Sequence, residues 1–176
     1  MRETIVRSIP LNRLVAWLID WVIILVWVAI VAALGIPLFL AGITAPLTMG
    51  ALNLVAVVTL ALPVTVAFAA LESSSRQASL GKRARRLLVV NSTTGRRVTF
   101  RRALTRIALK IGVPWSIGHA AAYGIVASSG AGTIPADVVA VTALAYVLPL
   151  FYIASLFIGS GRTPYDRLSG TMVERQ

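Results

Sequence analysis

Four long apolar runs constrain this chain more than any other feature. Residues 14–34 carry a single charge, Asp20, while residues 51–71, 111–127 and 138–158 carry none. Each run has the roughly 17–25 residues that a helix rising about 1.5 Å per residue needs to cross a hydrocarbon core about 30 Å thick. Lipid offers no hydrogen bonds, so only helices or a closed barrel can span, and the alternation of a barrel strand is missing here. The fold class that follows is an all-α membrane protein. It is a four-transmembrane-helix bundle in one domain over residues 1–176, with helices at about 13–35, 50–71, 103–127 and 136–158. The composition agrees: 57% of residues are hydrophobic and 13% charged, against about 45–50% and 25% in soluble domains. The first run is too long for a secretory signal and has no small-residue cleavage site after a short core, so it should remain as an anchor.

Charge placement orients the bundle. The net charge is +11, and every cation falls in the N-terminal segment, the stretch from Arg76 to Lys110, or the tail from Arg162 to Arg175. The connections at 35–50 and 128–137 contain no Lys or Arg. Positive charge marks the cytoplasmic side, so both termini, the loop 72–102 and the tail 159–176 are expected there. The connection 35–50 is too apolar for a solvated loop and should lie at the outer interface or under a partner subunit.

The basic loop invites a nucleic-acid reading, but no aromatic stacking platform or nucleic-acid module accompanies the charges. Attraction to anionic headgroups of the inner leaflet is the better reading, at ~1 kcal/mol per basic residue near the surface. It assigns lipid contact to Lys82, Arg83, Arg85, Arg86, Arg102, Arg106 and Lys110, the last three spaced along one helical face. Within the loop, RRLLVV (85–90) and RRVTF (96–100) flank the turn NSTTG (91–95) and predict a short cytoplasmic β-hairpin between helices two and three. SLGKR (79–83) fails as a phosphate loop, because Arg76 and Arg83 occupy the positions that need Gly and Ser or Thr.

Few polar residues enter the bilayer. Ser116, His119 and Tyr123 share one face of helix three, with Pro114 kinking its first turn and Gly118, Ala121 and Ala122 permitting close helix contact. They form either an interhelical hydrogen-bonded stripe or an intramembrane polar path. A lone histidine in a chain without cysteine provides no metal site, and no cofactor is expected. Asp137 fits a helix N-terminus. Asp20 is different: a carboxylate in hydrocarbon costs at least a few kcal/mol and needs a partner or a task. Arg13 shares its face but lies seven residues away, about 10.5 Å along the axis, too far for a simple pair. The segment GRTPYDRLSGT (161–171) offers Asp166 and Arg167, so Arg13, Asp20, Asp166 and Arg167 are the expected functional polar network.

RLVAWLID (13–20), LGKRARRLLVVNSTTGRRVTFRRALTR (80–106) and RTPYDRLSGT (162–171) together resemble the bacterial RDD family, in order and over nearly the whole chain. That family is named for one arginine and two aspartates, which Arg13, Asp20 and Asp166 match. The middle motif usually reads G-Q-T-x-G-K-R, whereas this chain has RQASLGKR (76–83). The resemblance implies a bacterial inner-membrane protein and a transport component for an ion or small solute, with cation/proton exchange as the model. The alternative is a non-catalytic accessory or scaffold subunit of a larger membrane complex, or a homo-oligomer. An enzyme is not expected, since six acidic residues and one histidine form no nucleophile–base constellation.

Overall fold

The computed structural model describes residues 2–130 and 132–176, with side chains from residue 9 onward, so the side chains of Arg2 and Arg7 lie outside the described residues. Helix α1 runs from Arg2 to Leu40, longer than the predicted first span at both ends. Next come α2 (Met49–Ala56) and α3 (Leu62–Ser73), joined by a π-helical segment, Val57–Ala61. The basic region holds α4 (Leu80–Ala84) and β1 (Leu87–Asn91). It leads into α5 (Phe100–Ile107), a second π segment (Ala108–Gly112) and α6 (Val113–Ser128). Helix α7 (Ala136–Ser155), α8 (Pro164–Leu168) and β2 (Thr171–Arg175) complete the chain.

Both π segments have the same local cause. Pro63 and Pro114 stand in the first turns of α3 and α6, where a proline ring collides with the carbonyl four residues back. Inserting one residue into the turn relieves the collision. The residue before each proline then bonds five back: Leu62 N–H donates to Val57 O, and Val113 N–H donates to Ala108 O. The two widened turns pack on each other. A Cβ on Gly112 would lie 3.1 Å from Thr65 Oγ1.

Among the described residues, three stretches are long and apolar enough to cross a membrane: Ile9–Leu40, Met49–Ser73 and Ala136–Ser155. The helical run from α5 through α6 is less apolar. Its first half carries Arg101, Arg102, Arg106 and Lys110, and its second half Trp115, Ser116, His119 and Tyr123.

The predicted hairpin forms differently. NSTTG does turn, with Asn91 Oδ1 accepting from the N–H groups of Thr93 and Thr94 and Gly95 at φ +65°. The run after it makes a single bridge, Val90 to Arg97. Thr99 then caps α5, its hydroxyl accepting from Arg102 N–H, and the chain leaves the ladder. The strand that pairs with β1 is β2, antiparallel, from Leu87 opposite Arg175 to Asn91 opposite Thr171. The cap at Thr99 thus wins over continued pairing of RRVTF.

Burial is concentrated at the basic end of the bundle. Val64, Phe68 and Ala69 of α3, Ala103 and Ile107 of α5, and Val89 of β1 form one core with Ile24 of α1. Helix α7 buries no residue, although it packs on α6, where Gly124 sits close against Val138. A lipid-facing helix needs no buried stripe, since acyl chains solvate apolar side chains.

Candidate functional site

Five separate elements send one side chain each into the basic end, and their charges alternate. Arg13 of α1 donates from Nη2 to Asp166 Oδ2 at 2.5 Å and from Nη1 to Gly161 O at 2.7 Å. Asp166 of α8 accepts from Arg106 Nε at 2.9 Å on its other oxygen. Arg106 of α5 donates from Nη1 to both carboxylate oxygens of Glu72 in α3, at 2.7 and 2.8 Å. Glu72 accepts in turn from Lys82 Nζ of α4 at 2.5 Å. The chain Arg13–Asp166–Arg106–Glu72–Lys82 is buried throughout, none of its members being more than 9% exposed.

Local structure explains the reach. Asp166 closes the first turn of α8, accepting from Thr163 N–H at 3.2 Å while facing both arginines. The guanidinium of Arg106 forks between two carboxylates, which a point-charge ammonium could not match, and it also lies 5.4 Å from the centre of the Tyr165 ring. Burial pushes the Lys82 ammonium down, opposed by Glu72, to about 8. Burial alone would raise the Asp166 pKa, but Arg106 and Arg13 outweigh it and hold the carboxyl well below the ordinary range.

A depressed folded-state value stabilises the protein fully above the ordinary aspartate pKa of about 4, and that stabilisation is lost as pH falls through the folded value. The melting temperature in detergent should therefore drop as pH goes below about 4, and Asp166→Asn should flatten that drop. Equal slopes in both proteins would remove Asp166 from the acid response.

Asp20 lies beside this chain and forms no ion pair among the described residues. Its Oδ2 accepts from Ser79 Oγ at 2.6 Å and its Oδ1 from Gly81 N–H at 2.8 Å. Ser79 is the N-cap of α4, so Asp20 reaches across from α1 to the positive end of that short helix. Asp20 is 2% exposed. Counted together, Arg13, Arg106 and Lys82 balance Asp20, Glu72 and Asp166, three cations against three carboxylates.

The other predicted site residues fall elsewhere. Arg167 points outward, exposed, and joins no ion pair among the described residues. Lys82 and Arg106 are buried rather than on the outer surface, their charges engaged by Glu72 and Asp166. Arg83 donates to Ala78 O, Arg85 to Asn12 Oδ1, and Arg102 to Gly170 O. Arg85, Arg86 and Arg102 remain exposed. Ser116 spends its hydroxyl on Gly112 O in its own helix. His119 Nε2 accepts from Trp115 Nε1 at 2.7 Å, and its ring stacks between Trp115 and Tyr123. Glu72 and Ser79 are network members with no counterpart in the sequence reading.

The RDD family model matches residues 8–170. The chain belongs to the RDD family. No curated protein and no solved structure matches it. In this RDD protein Arg13 and Asp166 are a direct pair, whereas Asp20 serves a helix end. The departure in the middle motif also takes on structural meaning. Counting back from Gly81, the usual threonine position holds Ser79, which keeps the hydroxyl that meets Asp20. The usual first glycine position holds Gln77, whose φ of +49° is a conformation glycine adopts at less cost.

A cavity of about 230 Å³ opens beside the ion chain, between α1, α6 and α7. Arg13, Lys82, Arg106 and Lys110 are among its lining residues, and no carboxylate among the described residues is. Trp17, Trp21 and Trp115 line the adjoining wall, in successive contact at 5.7 and 5.9 Å.

Proposed function

We propose that this RDD protein is a non-catalytic accessory or scaffold subunit of a larger assembly in the bacterial cytoplasmic membrane. Both termini lie inside, and α1, α2–α3, α5–α6 and α7 provide four spans. The observation that carries this reading is the saturation of the buried carboxylates. Asp20, Glu72 and Asp166 each hold fixed donors on both oxygens, which suits a clamp on the helix ends better than a group that exchanges protons. The orientation rests on the one-sided cations. Apolar surface around α7 and the 35–50 connection is available to partner helices as well as to lipid.

Transport keeps one specific support, the cavity beside the network. Four cationic side chains in its wall favour an anionic over a cationic solute, so cation/proton exchange through Asp20 is the weaker form of that reading.

Asp20→Asn separates the two. An amide cannot accept from Ser79 and Gly81 on two equivalent oxygens, so the variant should lose about 2 kcal/mol of stability and shed partners that copurify from native membrane. Reconstituted wild-type protein should show no proton-coupled cation flux. Flux that disappears in a folded, normally assembled Asp20→Asn protein would overturn the proposal.

A further inference from the structure

From the cavity we infer a binding site for an anionic phospholipid, with the headgroup phosphate on the cationic wall and an acyl chain along the tryptophans. This goes beyond the clamp, because it assigns a ligand to space the clamp leaves open. It needs only that the basic end meets one leaflet.

Charge supplies the first argument. Arg13, Arg106 and Lys82 are matched by carboxylates behind the wall, but Lys110 makes no ion pair or hydrogen bond among the described residues. Lys110 is half-buried and lines the cavity, so the wall presents one cation in excess of its internal partners. An ammonium held in such a place gains most from an anion that brings its own hydrogen-bond acceptors.

Shape supplies the second. Away from the charges the cavity is bounded by Trp17, Trp21, Trp115, Ile153 and Leu156. A small hydrated anion would leave that half wet and apolar, whereas an acyl chain fills it. Gly118 also lines the cavity, and a Cβ placed there meets no atom within 4 Å. The combination of a cationic pole, aromatic girdle and apolar slot at one end of the bundle matches a phospholipid at headgroup depth.

Three of the four tryptophans line the site, so their fluorescence reports occupancy. Purified protein in neutral detergent is titrated with phosphatidylglycerol or phosphatidylcholine, each carrying brominated acyl chains that quench on contact. Phosphatidylglycerol should quench saturably at a concentration roughly fivefold or more below phosphatidylcholine, the advantage expected of one added basic contact. Lys110→Gln should erase that preference, while Gly118→Leu should block quenching by both lipids with melting unchanged. Inorganic phosphate at millimolar concentration should displace little of the lipid. Equal quenching by the two lipids overturns the site, as does a preference that survives Lys110→Gln or quenching that survives Gly118→Leu. Full displacement by inorganic phosphate would mean that the occupant is a soluble anion, which overturns the assignment to lipid.

Discussion

Arg106→Leu should be among the most damaging single substitutions in the chain, lowering stability by about 3–5 kcal/mol. One guanidinium serves two buried carboxylates, Glu72 and Asp166. Removing it strands negative charge that the fold has already taken out of water, and Lys82 and Arg13 cannot each compensate for a lost fork. For a chain of this size the loss corresponds to a melting shift on the order of 10 °C, read by thermal unfolding in detergent. Arg106→Lys should restore little, because a single ammonium cannot reach both partners in a planar fork. Glu72→Gln placed on top of Arg106→Leu should recover part of the loss, since it removes one of the stranded charges. Such partial recovery is a readout that simple loss of packing would not produce. Wild-type melting in Arg106→Leu would show that the ion chain contributes nothing to the fold.

That chain also shows where sequence reading stops. The apolar runs are local and long, so four spans are read from them, and three of these coincide with described helices long and apolar enough to cross a membrane. The seven-residue spacing of Arg13 and Asp20 likewise excludes a simple pair along one helix. Partners that depend on chain return cannot be read in this way. Arg13 meets Asp166 across 153 positions and Glu72 meets Arg106 across 34, and nothing at either end announces the other. The cations between 76 and 110 look alike in composition, so buried Lys82 and Arg106 are assigned to headgroups together with exposed Arg85, Arg86 and Arg102. A finer signal was present: Ala103, Ile107 and Ile111 repeat at four-residue spacing and mark a buried face, and Arg106 and Lys110 stand beside it. Asp20 was legible as anomalous but not as a cap, because the helix it serves has only five residues, too few for any periodicity. The strand β2 was hidden for a similar reason. TMVER is short and charged, and the better-looking partner, RRVTF, is claimed by the cap of α5.

Gly81→Ala should destabilise the protein by an amount comparable to Arg106→Leu, through geometry rather than charge. A Cβ at Gly81 would stand 2.0 Å from Ala16 O and 2.9 Å from Asp20 Oδ1. The first of these is backbone, so relief requires α4 to move away from α1. Moving it withdraws Gly81 N–H from Asp20 and draws Ser79 Oγ off the second oxygen. The substitution therefore adds an overpacking cost of about 1–3 kcal/mol to the loss of hydrogen bonds to a charged group, about 1.5–3 kcal/mol each. Lys82, the next residue, would be displaced with the helix and would loosen its hold on Glu72. Gly118→Ala is the natural comparison, because its added methyl meets no atom within 4 Å and alanine is the better helix former by about 1 kcal/mol. Thermal unfolding in detergent should place Gly81→Ala far below wild type and Gly118→Ala at or slightly above it. If the two variants melt together, the close approach of α4 to α1 is not what fixes Asp20 in place. The family's glycine-lysine-arginine sequence would then need another physical cause.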